Sequence, residues 1–216
     1  MIINGKSESI SVPPELFQHI CRIESIPNPF CYKRNRVRAF VLGADPSNFS
    51  GPGETTIFFQ TVFGLGEGDA RYFSRILSNL KETGLSLEDV YVQNLVRNYL
   101  LFETSKNPKI WGRFAEHWLP LLKEELDSVD PSRKVPVLVT AEIIFRFLHP
   151  SLKKVRAREI YTSKRKDILQ QQLGSDDNRL IRPVIPFYRH ISYRLTNEEF
   201  DPYKNFIRSL TMKKLK

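Results

Sequence analysis

Cysteine, methionine and tryptophan each occur only twice in the 216 residues, and histidine four times. Two thiols, Cys21 and Cys31, cannot supply the four ligands of a structural zinc or an iron–sulfur cluster, and neither a metal nor a cofactor is expected. So few cysteines also exclude a disulfide scaffold and suit a reducing compartment: cytoplasmic, or nuclear in a eukaryote. No apolar run approaches the roughly 20 residues of a membrane span, and Met1-Ile2-Ile3-Asn4-Gly5-Lys6 lacks the apolar core of a secretory signal. No membrane partner is expected. Acidic residues are few beside basic ones, 24 against 33, which leaves a net charge of +9 and a pI near 9.6. Such a balance suits a polyanionic partner such as nucleic acid, with solvation charge as the plain alternative.

The basic residues cluster at 33–38, 153–158, 164–166 and 213–216. The aromatic fraction of 12% and hydrophobic fraction of 41% are enough for one sizeable core. No composition break divides the chain, so a single, monomeric domain is expected over 1–216. Its core spans about 37–211, with a helical extension over 1–36 and a basic surface insertion over 151–179.

Within that core, apolar β-rich runs alternate with segments of helical periodicity. Strands are expected over 37–42, 90–96, 135–140 and 180–187, and helices over 11–26, 70–83, 108–127, 141–148 and 197–211. Alternation of this kind implies an α/β domain in which helices cover both faces of a four-stranded, mostly parallel sheet, an α/β/α sandwich. The Gly- and Ser-rich segment 47–70 reads as a functional loop. Its Gly64/Gly66/Gly68 alternation lacks the Gly-Lys-Ser/Thr ending of a phosphate loop.

Three polar residues stand at the C-terminal ends of three expected strands: Asp45, Asn94 and His190. Parallel strands bring such ends to one edge, where open α/β sheets bind ligands. Asp45 lies in Gly43-Ala44-Asp45-Pro46, held between a conformationally free glycine and a ring-locked proline. Asn94 has to satisfy its amide either on a ligand or on backbone. His149-Pro150-Ser151 follows a helix rather than a strand, so His149 reads as a helix-end residue, and His19 and His117 fall within helical patterns.

The order of these motifs resembles the uracil-DNA glycosylase superfamily over residues 37–195. Gly43-Ala44-Asp45-Pro46 is similar to its first motif, Gly51-Pro52-Gly53 with Phe58-Phe59 to the Gly-Pro-Gly and aromatic that follow. Val90 to Asn94 is similar to its strand ending in Asn, and His190-Ile191-Ser192 to its late His-Pro-Ser. The resemblance implies a fold of that type and a repair enzyme that hydrolyses the glycosidic bond of uracil, or a related deaminated base, flipped out of DNA.

Carried onto this chain, it implies that Asp45 positions the attacking water and His190 stabilises the departing base. Asn94 would read the base edge, Phe59 or Phe58 would stack on it, and backbone N–H groups around Ala44 would assist. Tyr193, Arg194 or Leu195 would fill the vacated stack, and Arg189 and Arg194 would meet phosphates. Ser47 and Ile191 depart from the motif, standing where a Tyr and a Pro are usual. They keep open a second possibility, a nucleic-acid-binding protein on the same fold with weak or no turnover; a hydrolase of free nucleosides or nucleotides is a third.

Overall fold

Strands at Phe30–Cys31 (β1), Ala39–Gly43 (β2), Val90–Asn94 (β3), Val137–Val139 (β4) and Val184–Pro186 (β5) form one sheet in the order β1-β3-β2-β4-β5. β2 to β5 are mutually parallel, and β1 is an antiparallel edge on β3. The computed structural model describes residues 12–21, 26–48, 57–68, 71–152, 154–174 and 177–212.

Every residue of β2 through β5 is buried. Because successive side chains point to opposite faces, both faces of the sheet are covered, which is why these strands read as unbroken apolar runs. The α-helices Ser74–Glu82 (α1), Pro108–Val129 (α2), Glu142–Leu148 (α3), Ala157–Tyr161 (α4), Lys166–Gln172 (α5) and Asp201–Thr211 (α6) supply the cover. α2 opens on Pro108, whose missing N–H costs nothing in a first turn, and buries Trp111, Phe114, Trp118, Leu122 and Leu126 on one stripe. Among the described residues no helix is long and apolar enough to cross a membrane.

Three expectations are corrected. The sheet has a fifth strand, because Phe30 and Cys31 pair with Val92 and Tyr91 and cap an edge that would otherwise be open. The N-terminal helix contracts to a 3-10 segment, Pro14–His19, since Cys21 N–H donates to Tyr99 O (2.8 Å) and His19 O accepts from Leu101 N–H (2.9 Å). Pairing with the 99–101 segment, with Ile20 opposite Leu100, takes the place of helical bonding at Cys21, and residues 22–25 of the expected helix lie outside the described residues. The 151–179 stretch is not merely a surface insertion: Ala157, Ile160, Tyr161, Leu169 and Leu173 are buried in the core, and charged and polar side chains between them, such as Arg158, Glu159, Lys164 and Gln170, face water.

At the N-terminal end of the strands, Arg182 is fully buried. Its guanidinium pairs with Asp127 and with Asp130 (3.4 Å) and lies 5.1 Å from the ring centroid of Phe40. Burial alone would drive so enclosed a cation toward neutrality; the two carboxylates oppose that.

Candidate active site

The chain runs from β2 to β3 on one side, then crosses to β4 and β5 on the other. The crevice between the C-terminal ends of β2 and β4 is therefore the switch point at which such sheets bind ligands. A cavity of about 490 Å³ opens there. The segment after β2 contributes Ala44, Asp45, Ser47 and Asn48, the segment after β3 contributes Glu103, Thr104 and Ser105, and β4 leads into Thr140, Ala141 and Ile143. Arg189 follows β5, and Phe63 and Tyr72 supply aromatic surface.

Asp45 is held from two directions. Its Oδ1 accepts from the Ser47 N–H (3.0 Å), a turn that Pro46 stiffens, and its Oδ2 accepts from the Thr104 hydroxyl. Burial pushes its carboxyl above the ordinary range, against the opposing effects of the Thr104 and Ser47 hydrogen bonds and the positive charge of Arg189. Ser47 in turn accepts from Leu100 N–H (2.7 Å), tying the Asp45 turn to the 99–101 segment.

The aromatic wall differs from expectation. Phe58 packs edge-on to Tyr99 (4.8 Å), Phe59 packs against Tyr72 (5.7 Å), and neither lines the cavity. Phe63 takes that place. Its backbone is in the left-handed region (φ 57), a conformation that costs a non-glycine residue about 1–3 kcal/mol and tends to mark functional sites. The Gly64-to-Gly68 turn beside it serves to shape this wall: Glu67 Oε1 accepts from the N–H groups of Gln60 (2.8 Å) and Thr61 (3.0 Å), so those amides are committed internally. Asn48 exchanges two hydrogen bonds with the Ile57 backbone. Gly51-Pro52-Gly53 lies outside the described residues.

Asn94 ends β3 opposite Gly43, as expected, but is only 1% exposed and does not line the cavity. A Cβ on Gly43 would stand 2.0 Å from Asn94 Oδ1 and 2.6 Å from Phe63 Cζ, so the glycine is what lets the amide and the ring close over the strand end. Asn94 Oδ1 is buried and without a hydrogen-bond partner among the described residues.

His190 is exposed, and its Nδ1 accepts from the Ser192 N–H (3.3 Å); it follows Arg189 at the rim instead of lining the cavity. The turn it belongs to is braced from below. Asn79, buried on α1, accepts from Leu195 N–H (3.0 Å) and donates to Tyr193 O (3.4 Å), while Tyr188 N–H donates to the Tyr161 hydroxyl (2.7 Å). Leu195 is fully buried and Tyr193 packs against Tyr161 at 4.8 Å. Neither is free to enter a base stack, whereas Ile191, 51% exposed, and Arg194 point outward. His149 ends α3 as expected, buried, with Nδ1 3.3 Å from Ser151 Oγ.

Asp45 and Ala44 thus share the cavity with Arg189. Asn94 lies behind its aromatic wall and His190 stands beside its mouth. Phe63, Tyr72, Thr104 and Thr140 were not foreseen as site residues. The signal for Thr140 was available, since it directly follows a parallel strand on the edge that carries Asp45, whereas Thr104 comes well after the end of β3 and had none.

No protein-family model matches this sequence, and no curated protein is similar to it.

Proposed function

We propose that this chain is a DNA glycosylase that hydrolyses the N-glycosidic bond of uracil or a related deaminated base. The observation that carries the reading is the Asp45 carboxylate, fixed at the end of β2 within a cavity at the switch point of the sheet. Its volume falls within the range of about 300–1,000 Å³ typical of small-ligand sites, room enough for a flipped nucleobase.

In this scheme the base leaves the stack and lies against Phe63 or Tyr72. Asp45 orients the attacking water and faces the positive charge that develops on the sugar; a fixed carboxylate in an enclosed site does this with little reorganisation. The turn bearing His190, Ile191 and Arg194 meets the DNA outside the cavity, where the excess of basic residues favours a phosphate backbone. A single-turnover assay on a uracil-containing oligonucleotide tests the reading: abasic product is expected from the unaltered protein, and Asp45→Asn should abolish release while DNA affinity is retained. Release at the unaltered rate in that variant would remove Asp45 from the mechanism.

A second reading, a nucleic-acid-binding protein without turnover, is favoured by the enclosure of Asn94 behind Phe63 and by the outward position of His190. Tight binding of the same oligonucleotide without any abasic product would select it.

A further inference from the structure

Arg189 is the one cationic residue among the described residues that line the cavity. Its backbone N–H donates to Thr140 O (3.1 Å), which pins its Cα where β5 leaves the sheet beside β4. Thr140 is itself buried, and its hydroxyl donates to Leu42 O (3.0 Å), so the anchor belongs to the core. Among the described residues no side chain hydrogen bonds to, or pairs with, the Arg189 guanidinium. Arg189 is exposed at the mouth of the cavity and its charge acts on Asp45, but its guanidinium donors are left unbonded by the described side chains, which suits them to receive an anion. The second acid on the wall, Glu103, is already ion-paired with Lys106 (3.0 Å).

We infer that Arg189, rather than His190, takes up the negative charge of the departing base. This rests on the glycosylase reading. The C1′–N bond breaks heterolytically and its electron pair stays on the base nitrogen. The water oxygen bonds to C1′, its proton passes to the Asp45 carboxylate, and the base anion takes a proton from solvent after release. A guanidinium carries five donors, accepts nothing and does not give up a proton near neutrality. It therefore stabilises an anionic leaving group without being able to protonate one. Bases that depart only after protonation, such as adenine, gain nothing from it.

The test compares single-turnover release from oligonucleotides carrying uracil and 5-fluorouracil, which differ little in size but much in the stability of the departing anion. The unaltered protein should release both, with a modest preference for 5-fluorouracil. In Arg189→Gln uracil release should fall about 100-fold, as for the loss of one oxyanion donor. The 5-fluorouracil to uracil rate ratio should rise several-fold, because the anion must then stabilise itself. Arg189→Lys, which keeps the charge, should recover part of both effects. A normal uracil rate in Arg189→Gln overturns the inference. So does a reduced rate with an unchanged ratio, which would make Arg189 a DNA contact. Failure of the unaltered protein to release either base sinks the glycosylase reading itself, and this assignment with it.

Discussion

Thr104 donates its hydroxyl to Oδ2 of Asp45 across 59 residues of sequence, joining the segment after β3 to the turn after β2. The bond fixes one carboxylate oxygen while the Ser47 N–H fixes the other, so the orientation of the acid is set before any ligand arrives. A hydrogen bond to a charged group contributes about 1.5–3 kcal/mol. Thr104→Val keeps the shape and removes the donor. Because the bond lowers the Asp45 pKa, its loss moves the acidic limb of the pH–rate profile to higher pH, and release near neutrality should fall roughly tenfold or more. An acidic limb that stays where it was would show that Thr104 does not tune the acid.

The Asp45 carboxyl titrates above its ordinary value of 3.8 in the folded protein, chiefly through burial. Protonation therefore favours the native state: this contribution is complete below the unfolded pKa and is lost as pH rises through the folded one. Asp45→Asn cannot ionise, and its amide can accept from the Ser47 N–H while donating to Thr104 Oγ1. The variant should melt at a higher temperature than the unaltered protein at pH 7, with the gap narrowing as the pH approaches 4. Equal melting temperatures at pH 7 would show that the charged carboxylate imposes no cost on folding.

Gly43→Ala places a methyl group 2.0 Å from Asn94 Oδ1 and 2.6 Å from Phe63 Cζ. Overpacking of this sort costs about 1–3 kcal/mol, and the displaced Phe63 ring should weaken uracil binding measured by calorimetry. Adding Asn94→Ala relieves the closer of the two clashes and should restore part of the stability. If the double variant is no more stable than Gly43→Ala alone, the amide is not what crowds the glycine.

Asn79→Ala removes the acceptor for Leu195 N–H and a donor to Tyr193 O, both at the turn that follows Arg189. An unsatisfied buried amide costs about 1–3 kcal/mol. Amide exchange at Leu195 should quicken, and affinity for a DNA duplex should drop even though Asn79 is buried on α1. Unchanged exchange at Leu195 would mean the turn is held by the Tyr161 contacts alone.

How much of this was legible follows from what each residue answers to. The runs containing Ala39–Gly43 and Val90–Asn94 were readable because strands buried on both faces must be apolar throughout. α2 was readable because its buried stripe and N-terminal proline agree. Asp45 was readable because a carboxylate between glycine and proline after such a run has little other place to go. The β1 pair was not, since two residues carry no periodicity and their partners lie some sixty positions away. The end of the 3-10 segment Pro14–His19 was settled by tertiary pairing with 99–101 rather than by local preference. Asn94 and Phe63 show the same limit at the site: the strand end could be placed, but which side chain would face the opening depended on a left-handed backbone at Phe63 that nothing local demanded.

The clamp of Arg182 between Asp127, Asp130 and the Phe40 ring gives the molecule a heel. It binds the close of α2 and the approach to β5 to the central strand at the end remote from Asp45, so thermal breathing there must break ionic and aromatic contacts together. The opposite end is built otherwise: segments following four strands meet there, and the left-handed Phe63 stands beside Gly64 in the cavity wall.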